Sequence, residues 1–180
     1  MVKAARSGAV LSGVVLVAIF IVVLLSAGLY TRERTQAANF ARLHAEVAAR
    51  LAAESTIELL ALQGGTATLK NWALVDLQGA RGAYLLGDEV ATGAGRCRQG
   101  VVWGQSSRLT RTLFVTVLTD APHVFGAVPE PGRARVEQVR DISALGLGLP
   151  LAEPSRDVRL QLVDKARISA ALGPPQPQPQ

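Results

Sequence analysis

The sequence predicts an α+β fold in which a long N-terminal helix, partly transmembrane, packs against a small antiparallel β-sheet. No charged residue or histidine occurs from Ser7 to Thr31. Proline is absent before Pro122, and glycine is absent between Gly28 and Gly64, so nothing interrupts a helix over that stretch. After Gly64-Gly65, short apolar runs rich in β-branched residues alternate with glycines, which is typical of strands and turns.

Length and composition limit the possible functions. The 180 residues are about one domain, and a hydrophobic content of 49% excludes a disordered chain. The net charge of +5 includes Lys3 and Arg6 and is too small and scattered to indicate binding of nucleic acid. With Cys97 as the single cysteine, an intramolecular disulfide and a cysteine-cluster metal site are both excluded.

The first element is a membrane helix. Gly8 to Tyr30 contains 23 residues, almost all apolar, which span roughly 34 Å as a helix and match the hydrocarbon core of a bilayer. Tyr30 suits the headgroup level, and the charged residues 32–34 close the segment. The basic residues on the two flanks nearly balance. We expect a single pass through the inner membrane, with a cytoplasmic N-terminus because a seven-residue tail is easily retained and with the head outside.

Three interpretations of this N-terminal segment remain open. A short basic leader with Lys3 and Arg6, ending in Gly8 directly before the apolar run, resembles a type IV prepilin leader. That resemblance implies cleavage between Gly8 and Ala9 by a prepilin peptidase. An uncleaved signal anchor is the second interpretation. A cleaved secretory signal is the third, with a cut near residues 26–28, although its apolar run is long for that purpose.

The helix is predicted to continue beyond the membrane to about Leu62, giving a rod roughly 80 Å long. Apolar residues recur at three- and four-residue spacing and form a narrow stripe: Phe40, Leu43, Val47 and Leu51. Residues of alternating charge, four apart, form a ladder beside it: Arg42, Glu46, Arg50 and Glu54. The stripe can face a partner subunit, or it can pack on the chain's own head, and both can hold at once.

The basic leader, the continuous helix and the β-rich remainder together resemble the type IV pilin-like proteins. Residues 33–39 and 52–55 are similar to the start of PilX-type minor pilins and of the type II secretion tip pseudopilins. The resemblance covers about residues 1–60. It implies a minor structural subunit that is stored in the membrane and then assembled through its helix with other pilin-like subunits and an assembly platform. The alternative is a single-pass envelope protein whose head binds a partner or scaffolds a complex.

Gly13 departs from the pilin pattern. Major pilins carry a glutamate at the fifth position after the cut, where it neutralises the terminal amine of a neighbouring subunit; here that position is Gly13. An uncompensated charge in an apolar filament costs several kcal/mol. Gly13 therefore favours a minor, tip or initiating subunit. The spacing of Ala9 and Gly13 also permits close approach of a neighbouring helix.

The head is predicted as a sheet packed on the second half of the helix. The predicted strands are 66–69, 73–77, 100–103, 109–119, 134–139 and 158–163, with turns at 79–82 and 93–95. In the strand 109–119, Leu113, Val115 and Val117 occupy one face and threonines the other. Four aromatic side chains are expected in the core or sheet: Trp72, Trp103, Phe114 and Phe125. The glycine-rich stretch 145–150 is expected to be a loop.

The resulting division of the chain is a leader (1–8), the transmembrane half of the helix (9–30), its amphipathic continuation (31–63), a β-rich head (64–172) and a Pro/Gln tail (173–180). No catalytic constellation is recognisable. His44 and His123 lack an obvious carboxylate or nucleophile, Asp88-Glu89 is a single adjacent pair, and Cys97 between two arginines has no base. We therefore expect no enzyme, no cofactor, no metal and no small-molecule substrate.

Overall fold

The computed structural model describes residues 2–63, 69–93, 95–120 and 134–173, with side chains from Val15 onward except that of Asp120. The chain divides into two compact units, Met1–Leu43 and His44–Gln180. Helix α1 (Val2–Gln63) supplies all the described structure of the first unit and begins the second. The uninterrupted helix predicted from the absence of proline and internal glycine is confirmed.

In the first unit, every side chain from Val15 to Leu43 is exposed. This part of α1 contains a stretch that is long and apolar enough to cross a membrane. Where polar residues begin, the hydroxyls of Thr31 and Thr35 donate to the carbonyls of Gly28 and Thr31 at 2.9 and 2.8 Å, so neither hydroxyl needs water. The unit is compatible with a single-pass membrane anchor.

The second unit contains a five-stranded antiparallel sheet in which each strand pairs with the next along the chain. The strands are β1 (Trp72–Leu77), β2 (Ala80–Thr92), β3 (Gly95–Ser106), β4 (Leu109–Asp120) and β5 (Arg135–Asp141). A two-residue turn joins β1 to β2, and Gly79 takes a positive φ of 77° there, which glycine adopts without strain.

Helices cover both faces of the sheet. On one face, Ala53 and Leu60 of α1 pack against Tyr84, Val102 and Val115. On the other, helix α2 (Arg156–Leu172) places Ala166 and Ala170 among buried residues that include Ala83, Leu85, Val101, Trp103 and Phe114. The α+β class is therefore confirmed, with three layers rather than the two that the sequence predicted.

Helix α1 lies unusually close to the sheet because both surfaces are made of small residues. Gly82 and Gly104 face each other across β2 and β3. A methyl group on Gly104 would collide with the carbonyl oxygen of Ala49 and the amide nitrogen of Ala53, and one on Gly82 would collide with the Thr56 hydroxyl. Gly104 is required because the helix backbone occupies the space of a side chain, whereas at Gly82 the Thr56 side chain occupies it.

The predicted strand at 158–163 is wrong, since these residues lie in α2. Val158 and Val163 suggested β-structure, but the buried residues Arg159, Val163, Ala166 and Ala170 recur at the three- and four-residue spacing of a helix. Ser155 precedes the helix and Asp157 lies in its first turn, which are ordinary helix-start signals. Packing against the sheet outweighed the weak strand preference of the valines.

The prediction also missed β2 and misplaced the turn at 79–82. The turn is Gln78-Gly79, and Ala80 to Gly82 already belong to β2. Gly82 was assigned to that turn, whereas this glycine and Gly87 in β2, like Gly100 and Gly104 in β3, give room for α1, α2 and neighbouring strands. Leu69 lies outside any strand.

The other predicted head elements are confirmed within one or two residues. They are 73–77 in β1, 109–119 in β4, 134–139 in β5 and the loop at 146–150, while 100–103 is part of the longer β3. Leu113, Val115 and Val117 are buried together on the α1 side. Trp103 and Phe114 are buried, and Trp72 meets the Trp103 ring edge-on at 6.4 Å between centroids. Residues 64–68, Ala94, His123, Phe125 and the tail at 174–180 lie outside the described residues.

Candidate assembly surface on helix α1

The candidate site is the side of α1 that turns away from the sheet. In the second unit, Val47 and Leu51 are 55% and 56% exposed, whereas Ala49 and Ala53 are at most 2% exposed. Two steps along a helix rotate a side chain by about 200°, so these pairs point in nearly opposite directions. At these positions the helix buries small alanines and exposes larger apolar side chains, whereas Leu60 further along is fully buried.

Two more members of the predicted stripe lie in the first unit. Phe40 and Leu43 are 66% and 57% exposed. Their spacing from Val47 is the three- and four-residue spacing that brings side chains to one side of a helix. None of the four residues is covered by the described part of the chain. More than half of each of these side chains is exposed, and packing of the stripe on a partner subunit stays a prediction.

The charged ladder beside the stripe is only partly formed. Arg50 Nε donates to a Glu54 carboxylate oxygen at 2.7 Å, and this hydrogen bond and charge raise the pKa of Arg50 above its ordinary value. Glu46 is drawn instead to Arg111 on β4, with 3.6 Å between the guanidinium nitrogen and the carboxylate oxygen. The ladder therefore stops at the Arg50–Glu54 pair, and Glu46 ties the helix to the sheet.

Arg111 also binds Asp141 at the end of β5, with a nitrogen to oxygen distance of 2.5 Å. Burial would raise the pKa of Asp141, but hydrogen bonds from Ser143 and the nearby Arg111 guanidinium outweigh it and hold the pKa below its ordinary value. Between α1 and these strands runs a groove of about 730 Å³, whose wall contains Leu51 and Ile57 of α1 and Leu113 and Val139 of the sheet. The groove is larger than the cleft of about 330 Å³ beside the turn between β1 and β2.

The residues of the predicted leader-peptidase site lie within the bounds of α1. They are Lys3, Arg6, Gly8 and Ala9, with Gly13 further along. Their side chains fall outside the described part of the chain, so cleavage after Gly8 and helix packing at Gly13 stay predictions.

Other polar candidates from the sequence have structural partners. The Asp88 carboxylate accepts from Arg156 at 3.1 Å and from Arg159 at 3.2 Å, and so ties the start of α2 to β2. Glu89 accepts from the Thr119 hydroxyl at 3.2 Å. Cys97 is buried at 9% exposure. The buried Arg159 was missed by the sequence reasoning because its position inside a helix was not predicted.

Comparisons with known protein families, with characterised proteins and with solved structures find no match to this chain.

Proposed function

We propose that this protein is a minor pilin-like structural subunit of a type IV pilus or a type II secretion pseudopilus. The observation that supports the proposal is the distribution of side chains around α1. Phe40 and Leu43 in the first unit, and Val47 and Leu51 in the second, are more than half exposed beyond the membrane-length segment. Large exposed apolar residues are retained at a cost in solubility, which indicates that another surface covers them.

The proposed mechanism is mechanical. The apolar part of α1 stores the subunit in the inner membrane, with the head outside. A prepilin peptidase removes residues 1–8, and an assembly platform extracts the helix so that it packs laterally against the helices of other pilin-like subunits. The head interface does not compete with this packing, because it uses the alanine side of α1.

The most direct test is the mass of the mature N-terminus. We expect a chain that begins at Ala9. A protein that keeps Met1, or that begins near Leu29, would contradict the proposal. The variant Gly8→Leu should stay uncleaved and fail to assemble. Gly28→Ala is the matched control, because a methyl group there meets nothing within 4 Å, and it should be processed normally.

The second candidate function is a membrane-anchored envelope protein whose head binds a partner. The groove between α1 and strands β4 and β5 favours it, since its volume lies in the range of ordinary binding clefts. This function predicts a permanently membrane-bound product with an intact leader. Val139→Asp should then abolish partner binding, whereas Gly8→Leu should have no effect.

A further inference from the structure

We propose that the Pro/Gln tail, from Pro174 to Gln180, adds to the head sheet as a short strand beside β1 and antiparallel to it, with its glutamines facing β1 and its prolines facing outward. This pairing is independent of the proposed function, because it involves the head alone. It covers the open edge of the sheet, and it gives a physical reason for the alternation of proline and glutamine in the tail.

The two edge strands of the sheet differ in how well they are protected against pairing with a further strand. In β5, a bulge interrupts the pairing with β4 between Thr116 and Val117, and four of the seven residues are charged. In β1, all six residues pair with β2 in a regular register, and Asp76 carries the one charge. Bulges and charges are the usual means by which proteins block an edge. β1 is therefore the edge that another segment can extend.

The hydrogen bonds of β1 show which of its backbone groups face the open edge. The Leu86 amide donates to the Asn71 carbonyl at 2.7 Å, so these opposite residues form a hydrogen-bonded pair. Such pairs alternate along an antiparallel ladder, and the residues between them turn both N–H and C=O away from the neighbouring strand. The residues that face the open edge are Trp72, Leu74 and Asp76. Elsewhere in the described part of the chain, no backbone group binds theirs.

The sequence of the tail supplies the complementary pattern. After Pro174-Pro175, glutamine and proline alternate from Gln176 to Gln180. Since successive residues of a strand turn their N–H and C=O groups to opposite sides, all three glutamines can face β1 while the prolines face away. Proline lacks the N–H that a ladder needs, so an edge strand tolerates it where that side faces solvent. The tail thus offers three intact donors to the three open residues of β1, and its other side cannot pair with a further strand.

Helix α2 ends close to this edge. At its start, Arg159 binds Asp88 of β2 at 3.2 Å, and near its end Ala170 belongs to the same buried cluster as Ala83 of β2. The helix therefore runs along β2 from residue 88 toward residue 83, which is the direction of β1. Because Ala83 lies opposite Leu74, α2 ends beside the second half of β1.

The tail is long enough to reach the edge, and it can pair with β1 only by turning back along it. At Gly173 the backbone takes a φ of 74° and leaves the helical direction. The edge lies two strand spacings, or about 10 Å, from β2, whereas seven extended residues span about 22 Å. In the direction of α2, β1 continues for only three residues beyond Leu74. A tail that meets all the open residues therefore runs antiparallel to β1.

The side chains on the two faces of β1 match this arrangement. Trp72 packs on the α2 side of the sheet and Ala73 on the α1 side. Residues that lie opposite each other in a ladder place their side chains on the same face. The glutamines of the tail therefore lie on the α2 side, where the carboxylate of Asp76, 81% exposed, can accept from a glutamine amide. The proline rings lie on the α1 side, beside the half-buried Ala73 and Val75.

Amide hydrogen exchange of the whole chain in detergent tests the pairing. We expect slow exchange at Trp72, Leu74 and Asp76, whose N–H groups face the open edge. Gln178→Pro removes a donor that faces β1 and should speed exchange at these amides by about 2- to 10-fold, the size of one net hydrogen bond. Pro177→Gln is the matched control, because it changes the neighbouring residue that faces outward, and it should leave their exchange unchanged.

A variant that carries both changes keeps the composition of the tail and breaks its alternation. It should speed exchange at the three amides as much as Gln178→Pro alone. Fast exchange at these amides in the unchanged protein would overturn the inference, and so would equal effects of Gln178→Pro and Pro177→Gln. Slow exchange that neither variant alters, but that is lost on dilution of the protein, would reject the tail and show that a strand of another molecule occupies the edge.

Discussion

The two sides of α1 in the second unit are built from different residues and meet different surroundings. The side against the sheet carries small residues where the helix meets the two glycines, with Ala49, Ala53 and Thr56 at most 2% exposed, and the fully buried Leu60 further along. The outer side carries Val47 and Leu51, each more than half exposed. A soluble domain that relied on its own core would bury the larger apolar side chains and expose the smaller ones.

Beside the two glycines of the sheet, the inner side of α1 allows close approach of the helix rather than burial of large apolar side chains. Gly82 and Gly104 remove the side chains that would hold the helix away, and the alanines of α1 fill the space. Dense packing of small groups gains dispersion contacts, and the larger residues remain available outside. Changes on the inner side should therefore affect the fold, and changes on the outer side should affect association.

The largest effect is expected at Gly104. The variant Gly104→Ala forces the backbone of α1 away from β3, because the added carbon would overlap the Ala49 carbonyl oxygen and the Ala53 nitrogen. We expect a loss of about 1–3 kcal/mol in the free energy of unfolding, measured by denaturant titration of the detergent-solubilised chain. Gly148→Ala meets no atom within 4 Å and should lose less than about 0.5 kcal/mol. Equal losses would mean that the close approach is unimportant.

Gly82 should give a smaller loss that can be relieved. The carbon added in Gly82→Ala overlaps the Thr56 hydroxyl, whereas the next atoms, Thr56 Cβ and the Ala52 carbonyl oxygen, lie at 3.2 and 3.3 Å. Thr56→Ala removes the overlapping oxygen. In a double-mutant cycle, the two changes together should cost less than the sum of the single changes, with a coupling of about 0.5–1 kcal/mol. Additive losses would contradict the contact.

The sequence pattern predicted those features of α1 that depend on the helix alone. The absence of proline and internal glycine predicted α1, and three- and four-residue spacing predicted that Phe40, Leu43, Val47 and Leu51 share a side. The exposure of that side depends on where the head packs, and α1 has two apolar sides, one large and one small. The sequence therefore left both uses of the stripe open, and it did not predict that Ala49 and Ala53 would lie against the sheet.

The missed elements have a similar cause. Helix α2 contains two valines and a buried arginine, and its identity depends on the carboxylate of Asp88, 71 residues before Arg159, and on the face of the sheet that it covers. Gly82 of strand β2 was assigned to a turn, but its missing side chain leaves room for α1 to pack closely. For β2 a distant part of the chain decides the local structure, whereas α2 carried local helix signals in its spacing and at Ser155 and Asp157 that the valines outweighed in the prediction.

An intermediate effect is expected where Arg111 links the flank of α1 to the end of β5. The pKa of Asp141 is held below its ordinary value, so its contribution to stability is present above the unfolded pKa of about 3.9 and is lost as the pH falls through the folded value. Asp141→Asn should cost less than about 1 kcal/mol at pH 7, because the side chain is 42% exposed, and should flatten the decline in stability below pH 4. Asp76→Asn, at a carboxylate 81% exposed, should leave that decline as steep as in the unchanged protein.

The smallest effect on folding, and the clearest on association, is expected on the outer side. Val47→Asp replaces a side chain that is 55% exposed, so the free energy of unfolding of the head should change by less than about 0.5 kcal/mol. The new charge nevertheless lies in the apolar stripe, so lateral packing of α1 against other subunits should fail. Incorporation of the subunit into sheared filaments or purified secretion complexes measures this loss. Ala41→Asp adds the same charge at another exposed position of α1, off the stripe, and should assemble normally. If Val47→Asp assembled as well as Ala41→Asp, the outer side of α1 would be ordinary solvent-facing surface, and the head groove would become the place to search for a partner.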